Sequence, residues 1–260
     1  MRITLIGAGN LSTNVGKALI QAGHDIVQVF SHTAQNASAL AKQLGASPTD
    51  DISEITADAD LYLLAIKDSA LANVVPTLCK GKETKVFAHT AGSVGMDLFQ
   101  GMAQHYGVVY PMQTFSKTRE VDFRKIPVFI EYNDEFAMRR ISELADGISA
   151  KVTVLSSEDR KYLHLAAVFS CNFVNHCYAL AADIMEKHGM SFDMLLPLID
   201  ETAAKVHEMH PKDAQTGPAI RYDENVIRNQ RQLIRSNPLV RDLYEKMSMS
   251  IHIKSNEGNR

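Results

Sequence analysis

The sequence predicts a doubly wound α/β domain built on a parallel sheet over residues 1–155, followed by an all-helical domain over residues 156–260. Two observations carry that reading. Short β-branched apolar runs alternate with amphipathic helical stretches from residue 1 to about residue 155, the pattern of βαβ units. After Leu155 no run has strand character, and every periodic segment repeats with helical spacing.

In order along the chain, Ile3 to Ile6 reads as a strand buried on both faces. Leu11 to Ala22 reads as a helix with Val15, Leu19 and Ile20 on one face and Gly23 as its stop. Ile26 to Phe30 is a second strand, and Ala34 to Leu44 a helix closed by Gly45. Leu61 to Ile66 is a strand, Ser69 to Leu78 a helix and Val86 to Ala88 a strand. Val108 to Tyr110 and Val128 to Ile130 continue the strands; Asp134 to Ile148 is a helix and Lys151 to Leu155 the last strand. Ser156-Ser157-Glu158-Asp159 is a helix start, a hydroxyl cap followed by acids at the positive end of the dipole. That helix runs to about Lys187, and further helices follow from Phe192, Glu224 and Leu239.

A net charge of −3 over 260 residues gives no field that would gather nucleic acid or an anionic membrane. Three cysteines, in no metal-type spacing, read as reduced thiols of a cytoplasmic protein. Gly7, Gly9 and Asn10 break the first apolar run too early for a signal peptide. His207-Glu-Met-His210 lacks the HExxH spacing, so no metal is expected, and no GxSxG hydrolase elbow occurs.

The first strand ends in Gly7-Ala8-Gly9-Asn10-Leu11-Ser12, a dinucleotide fingerprint with serine at the third glycine position. Gly7 permits the tight turn, Gly9 lets the backbone approach a pyrophosphate, and the helix amides then face that anion. An ordinary βα turn is the alternative. An NAD-preferring fold usually ends its second strand with an acid that holds the ribose hydroxyls. Here Ser31-His32-Thr33 stands in that place, which favours NADP, because hydroxyls and an imidazole can bond a 2′-phosphate that a carboxylate would repel.

With those residues the first half resembles the deazaflavin-coenzyme-dependent NADP oxidoreductase and pyrroline-5-carboxylate reductase family, a Rossmann-type group with a "GxGNMG"-like turn. "GAGNLS" departs from that turn at Leu11 and Ser12. "YLLAIKDSAL" resembles the family's strand exit beneath the cofactor, which implies that Ala65, Ile66 and Lys67 border it. "FAHTAGSV" resembles the exit near the nicotinamide and implies the same of Thr90 and Ala91. "GVVYPMQTFS" resembles a strand ending close to the substrate cleft. Over nearly the whole chain, "HTAG", "YPMQTFS", "YLHLAAVFSCNF" and "TGPAIRYD" resemble a narrower group, Rossmann-like bacterial proteins with a helical C-terminal domain of unknown function. That resemblance implies fold and cofactor class, and hardly anything about the substrate.

From Leu163 to Ala182 no residue is formally charged. His164, Ser170, Asn172, Asn175 and His176 make a bilayer span costly, so this helix reads as the buried centre of a helical domain, with a homodimer expected over residues 156–260. On a regular helix Lys161, His164, Asn172 and Asn175 fall within about 80° of one another. Such a stripe suits either a cofactor cleft or interhelix hydrogen bonds. The 3-hydroxyacid dehydrogenases place a lysine and an asparagine one turn apart on the corresponding helix; here Leu165 stands at that spacing from Lys161, and His164 with Asn172 is the pairing offered instead. His89, ending a strand, is an acid–base candidate or a structural histidine bonding the next loop. Arg221 could hold a substrate carboxylate, or pair with Asp223.

The sequence therefore carries two expectations. One is an NADP-dependent oxidoreductase moving a hydride between NADP(H) and a small carbonyl, imine or 2-oxo acid, or a deazaflavin. His164 or Lys161, with His89 a further candidate, would handle the proton and Asn172 would orient the substrate. The other is a non-catalytic NADP(H)-binding sensor or assembly protein.

Overall fold

In the computed structural model, which describes residues 1–257, eight strands form one sheet in the order β3-β2-β1-β4-β5-β6-β7-β8. They are β1 (Arg2–Ile6), β2 (Asp25–Phe30), β3 (Ser47–Thr49), β4 (Leu61–Leu64), β5 (Val86–His89), β6 (His105–Pro111), β7 (Val128–Tyr132) and β8 (Val152–Val154). All neighbours are parallel except β6 and β7, so the expected parallel sheet is corrected at that edge: β7 and β8 run against the rest. The strand expected to reach Ile66 stops at Leu64, and Ala65 to Lys67 form the turn beyond it.

Helices α1 (Asn10–Gln21), α2 (Ala34–Leu44), α3 (Asp68–Cys79) and α4 (Glu135–Ile148) cover the sheet. On one face Val15 and Leu19 of α1, Leu40 and Leu44 of α2, and Ile141 and Leu144 of α4 pack on Ile3, Leu5 and Val109. On the other, Leu71, Val75 and Leu78 of α3 pack on Tyr62, Leu64 and Phe87. Burying a side chain of this size contributes about 1.5–3 kcal/mol, which is why the strand interiors carry almost no polar residue. Gly45, left-handed at φ 69°, ends α2 where a helix must reverse.

The next helix, α5 (Ser157–Ala167), is capped by Ser156 Oγ, which accepts from the Asp159 N–H at 3.1 Å. A π-helical stretch, Val168–Phe173, follows, then α6 (Val174–Lys187). Contacts divide the chain into a first unit, Met1–Ser170, and a second beginning at Cys171. The expected 155/156 boundary marks the change of pattern. The packing boundary lies later because α5 is anchored to the first unit through Arg160 and His164, as described below.

The second unit holds α6, a 3-10 turn at Phe192–Leu195, α7 (Leu196–Glu208), α8 (Pro211–Ala214), α9 (Glu224–Leu233) and α10 (Pro238–Asn256). No residue of α6 is buried in the single chain, so one chain alone does not supply the burial expected of this helix.

Candidate functional site

The strand order reverses between β1 and β4, and in open α/β sheets ligands bind beyond the strand ends at such a switch. A cleft of about 860 Å³ lies there, lined wholly by the first unit. Its walls bring together every residue nominated for the cofactor: Gly7, Gly9, Asn10 and Leu11 after β1; Ser31, His32 and Thr33 after β2; Ala65, Ile66 and Lys67 after β4; Thr90 and Ala91 after β5.

Local chemistry explains the shape. Gly7 has φ 118°, and a Cβ there would collide with the Ala65 carbonyl oxygen. The turn thus closes against the β4 exit, and the Gly7 N–H donates to the Phe30 carbonyl at 2.8 Å. Gly9 has an ordinary φ of −84° and nothing within 4 Å of a Cβ, so its place beside the cleft is open. Ser12 is fully buried, and its hydroxyl donates to the Ala65 carbonyl at 3.3 Å. The serine at the third glycine position therefore fits, and fastens the turn to the neighbouring strand exit.

No side chain caps α1 or α2, and neither has an acid in its first turn. Apart from the Asn36 N–H, which donates to the Thr33 carbonyl at 2.9 Å, the first-turn N–H groups and the positive dipole ends are left for an anion. Asn36, in the first turn of α2, also lines the cleft. His32 sits edge-on to Phe30, with ring centroids 5.3 Å apart, and borders a shallower recess with Asp50 and Asp51. The Asp51 carboxylate there is committed to the Ser53 N–H at 2.8 Å and hydroxyl at 2.7 Å.

The remaining wall was not fully anticipated. Tyr110 at the end of β6, Gly92, Asp68 and Lys117 all line the cleft, and so does His164. The loop carrying Lys117 is tied down by Asn14, whose Nδ2 donates to the Ser116 carbonyl at 3.0 Å. The Asp68 carboxylate accepts a short hydrogen bond from Ser93 Oγ. The Tyr110 hydroxyl lies 3.0 Å from His164 Nδ1. Tyr110 follows the same rule as Thr90, a polar group closing an apolar strand, and that signal could have found it.

His164 is held in place by a buried ion pair one turn earlier. Arg160, 1% exposed, donates from Nη1 to Glu131 Oε2 at 2.6 Å and from Nη2 to the Val94 carbonyl at 2.6 Å. Glu131, on β7, also accepts from the Ser157 N–H at 2.8 Å and hydroxyl at 2.6 Å, neutralising the start of α5.

Other nominations fall elsewhere. His89 is fully buried and is not on the wall of this cleft. Its Nδ1 accepts from the Ala91 N–H at 3.2 Å, and Nε2 faces the Gly95 carbonyl at 3.2 Å. Burial lowers its pKa to about 4, so it is a neutral ring fastening the 90–95 loop, and the acid–base expectation for it is corrected. Lys161 lies outside the cleft, in a shallow recess with Glu158, Tyr162 and Leu165. Asn172 and Asn175 are exposed and belong to the second unit. The single-stripe expectation is corrected too: i→i+5 bonding over Val168–Phe173 turns each residue through less than the roughly 100° of an α-helix, so register computed from Lys161 is lost beyond it. Arg221 is exposed in the second unit, and the carboxylate of Asp223 caps α9 through the Val226 N–H at 3.3 Å. Among the described residues no group of three His, Cys, Asp or Glu side chains is placed to hold a metal ion.

Residues 1–113 match the model of a Rossmann-like domain, and residues 126–251 that of a domain of unknown function, DUF2520. The chain is similar to a Bacteroides fragilis protein that bears the provisional name NADP oxidoreductase: identity 52%, 97% of this chain and 98% of that one covered, TM-score 0.93. It shares its fold with a pyrroline-5-carboxylate reductase from Coxiella burnetii, at 18% identity over 98% of this chain and 97% of that one, TM-score 0.59. It also shares its fold with an imine reductase from Myxococcus stipitatus solved with NADP+, at 15% identity over 99% and 95%, TM-score 0.68. No curated protein matches the chain.

Proposed function

The chain belongs to the family of Rossmann-like proteins that carry the DUF2520 domain, and from that premise we propose that it is an NADP(H)-dependent oxidoreductase acting on a small carbonyl, imine or 2-oxo acid. The observation that carries the reading is the cleft at the sheet's switch point, into which two uncapped helix N-termini open. The α1 amides and the bare Gly9 suit a pyrophosphate. The hydroxyls of Ser31 and Thr33, the amide of Asn36 and the α2 N-terminus suit a 2′-phosphate, and no acid stands among them. The names of the Bacteroides protein and of the imine reductase complex agree with NADP as the cofactor.

NADPH supplies hydride from its nicotinamide. This chain supplies the binding groups and, at the Tyr110–His164 wall, an imidazole hydrogen-bonded to a phenol, a pair with the chemistry to pass a proton. Cytoplasmic location and pairing of two copies complete the proposal. Calorimetric titration with NADPH and with NADH tests it: NADPH binds more tightly. Equal affinities, a preference for NADH, or no binding of either overturns the cofactor assignment.

A further inference from the structure

Tyr110 is 9% exposed, and its ring meets the imidazole of His164 edge-on, with centroids 6.0 Å apart and planes at 75°. Gly92 lies against the same edge of the imidazole. A Cβ there would stand 2.5 Å from Nδ1 and 2.6 Å from Cγ, so the imidazole occupies space that any other residue would fill. Both contacts lie on the Nδ1–Cγ edge of the ring. The side-chain hydrogen bond of His164 is on Nδ1, and among the described residues Nε2 has no partner, on a residue that lines the cleft.

We propose that Tyr110 is a positioning residue that holds His164 with Nε2 as the proton-transfer atom, and that the group it serves is a substrate carbonyl, not an iminium ion. The proposal rests on the oxidoreductase reading above. A phenol oxygen both donates and accepts. It donates to Nδ1 when the ring is neutral with its proton on Nε2, and accepts from Nδ1–H when the ring is charged. One contact therefore keeps the ring oriented through the proton cycle. Burial raises the Tyr110 pKa, so the phenol keeps its own proton and the transferred proton comes from the imidazolium.

The substrate class follows from charge balance. Hydride from NADPH adds to a carbonyl carbon, the π pair moves to oxygen, and that oxygen takes the Nε2 proton; the products are an alcohol, NADP+ and a neutral imidazole that water reprotonates. Hydride addition to an iminium ion gives a neutral amine with no proton required, so a positioned acid serves only a substrate whose acceptor atom arrives neutral, as a carbonyl oxygen does. The charged side chains on the cleft wall agree. Lys67 and Lys117 are cationic, and Asp68, the carboxylate on that wall, accepts from Ser93, so the cations outnumber the carboxylate. Among the described residues of the wall that excess of positive charge disfavours a cationic substrate.

The test uses the full chain with NADPH, and its binding is measured first, because absence of NADPH binding sinks the oxidoreductase reading on its own. Two readouts then address the proposal. In the 15N spectrum of histidine-labelled protein above pH 8, Nδ1 of His164 carries the shift of a hydrogen-bonded acceptor, and Tyr110→Phe returns it to the free position. An unchanged resonance removes Tyr110 from the role. In the second readout, NADPH oxidation is followed with pyruvate and 2-oxoglutarate against N-methyl-1-pyrrolinium, a permanent iminium. Reduction of an oxo acid is expected. His164→Gln lowers its kcat by about a hundredfold. Tyr110→Phe lowers it about fivefold to tenfold, the worth of one neutral hydrogen bond, with KM and NADPH affinity little changed. Turnover of the iminium alone, of neither class, or of the oxo acid at an equal rate in His164→Gln overturns the proposal.

Discussion

Gly7 and Gly9 stand two residues apart and are glycine for different reasons. At Gly7 the backbone has φ 118° and a Cβ would strike the Ala65 carbonyl, so the requirement is conformational and belongs to folding. At Gly9 the backbone is ordinary and the Cβ position open, so nothing in the protein itself demands glycine. Gly9→Val should therefore fold with an unaltered circular-dichroism melt while losing more than about tenfold in NADPH affinity, a cost of about 1.4 kcal/mol or more. A folded variant with wild-type affinity would place the pyrophosphate elsewhere. His89 yields a second outcome at this scale. Its imidazole titrates at about 4 in the fold because burial disfavours the charged form, against about 6.5 in an unfolded chain. Between those values the unfolded chain binds a proton that the folded one does not. Stability is then complete above about pH 6.5 and lost as pH falls toward 4, by about 3 kcal/mol from this group. Urea midpoints taken from pH 7.5 down to 4.5 should fall more steeply for the wild type than for His89→Gln. Parallel curves would show that His89 is not the group responsible.

Among the elements, α5 illustrates how a helix is aimed. Glu131 on β7 meets Arg160 and the α5 N-terminus together, and that fixes the rotation of the helix and so the direction of His164, one turn on. Removing the carboxylate leaves a buried guanidinium without a counter-ion, which costs about 3–5 kcal/mol. Glu131→Ala should show that loss in urea unfolding; a loss under about 1 kcal/mol would mean that the pair is solvated and α5 is aimed by other contacts. None of this was legible in the sequence, where Glu131 and Arg160 are two ordinary charged residues. The strands and helices of the first unit were legible, because burial on both faces writes short β-branched runs and amphipathic helices write a 3.6-residue period. β3 escaped, being only Ser47-Pro48-Thr49, and so did the reversal of β7, since periodicity carries no direction. The π stretch escaped because Val168–Phe173 is compositionally helix. At the cleft, the Gly7–Leu11 turn and Ser31 to Thr33 were found by the dinucleotide fingerprint, and Ala65 to Lys67, Thr90 and Ala91 by the family resemblance. Gly92 and Lys117 were not, because their role depends on which distant segment folds against them.

For the molecule as a whole, the apolar surface left by one chain is too large to be incidental. The helix Ser157–Lys187 contains an 18-residue window of mean hydropathy 1.3, none of it buried. On α10, Leu239, Leu243 and Met247 follow at four-residue spacing on one face, Leu239 being 71% exposed. Elsewhere in the second unit Met194 of the 3-10 turn and Leu198 of α7 are 67% and 63% exposed. Scattered apolar residues on a surface need no explanation, but aligned ones mark a contact. A bilayer is a poor occupant, because Asn172, Asn175 and His176 would enter hydrocarbon along with the apolar positions. A second copy suits better: it brings the same apolar stripes and the same polar groups, which can bond one another across a twofold axis. The expected particle in light scattering at micromolar concentration has a mass near twice the 28.8 kDa of one chain. The double variant Leu239→Glu/Met247→Glu, whose positions are exposed in the single chain, should fold and shift that mass toward the monomer. A wild-type monomer at that concentration overturns the assignment. A variant that stays dimeric moves the interface off α10 and onto the remaining exposed helical faces.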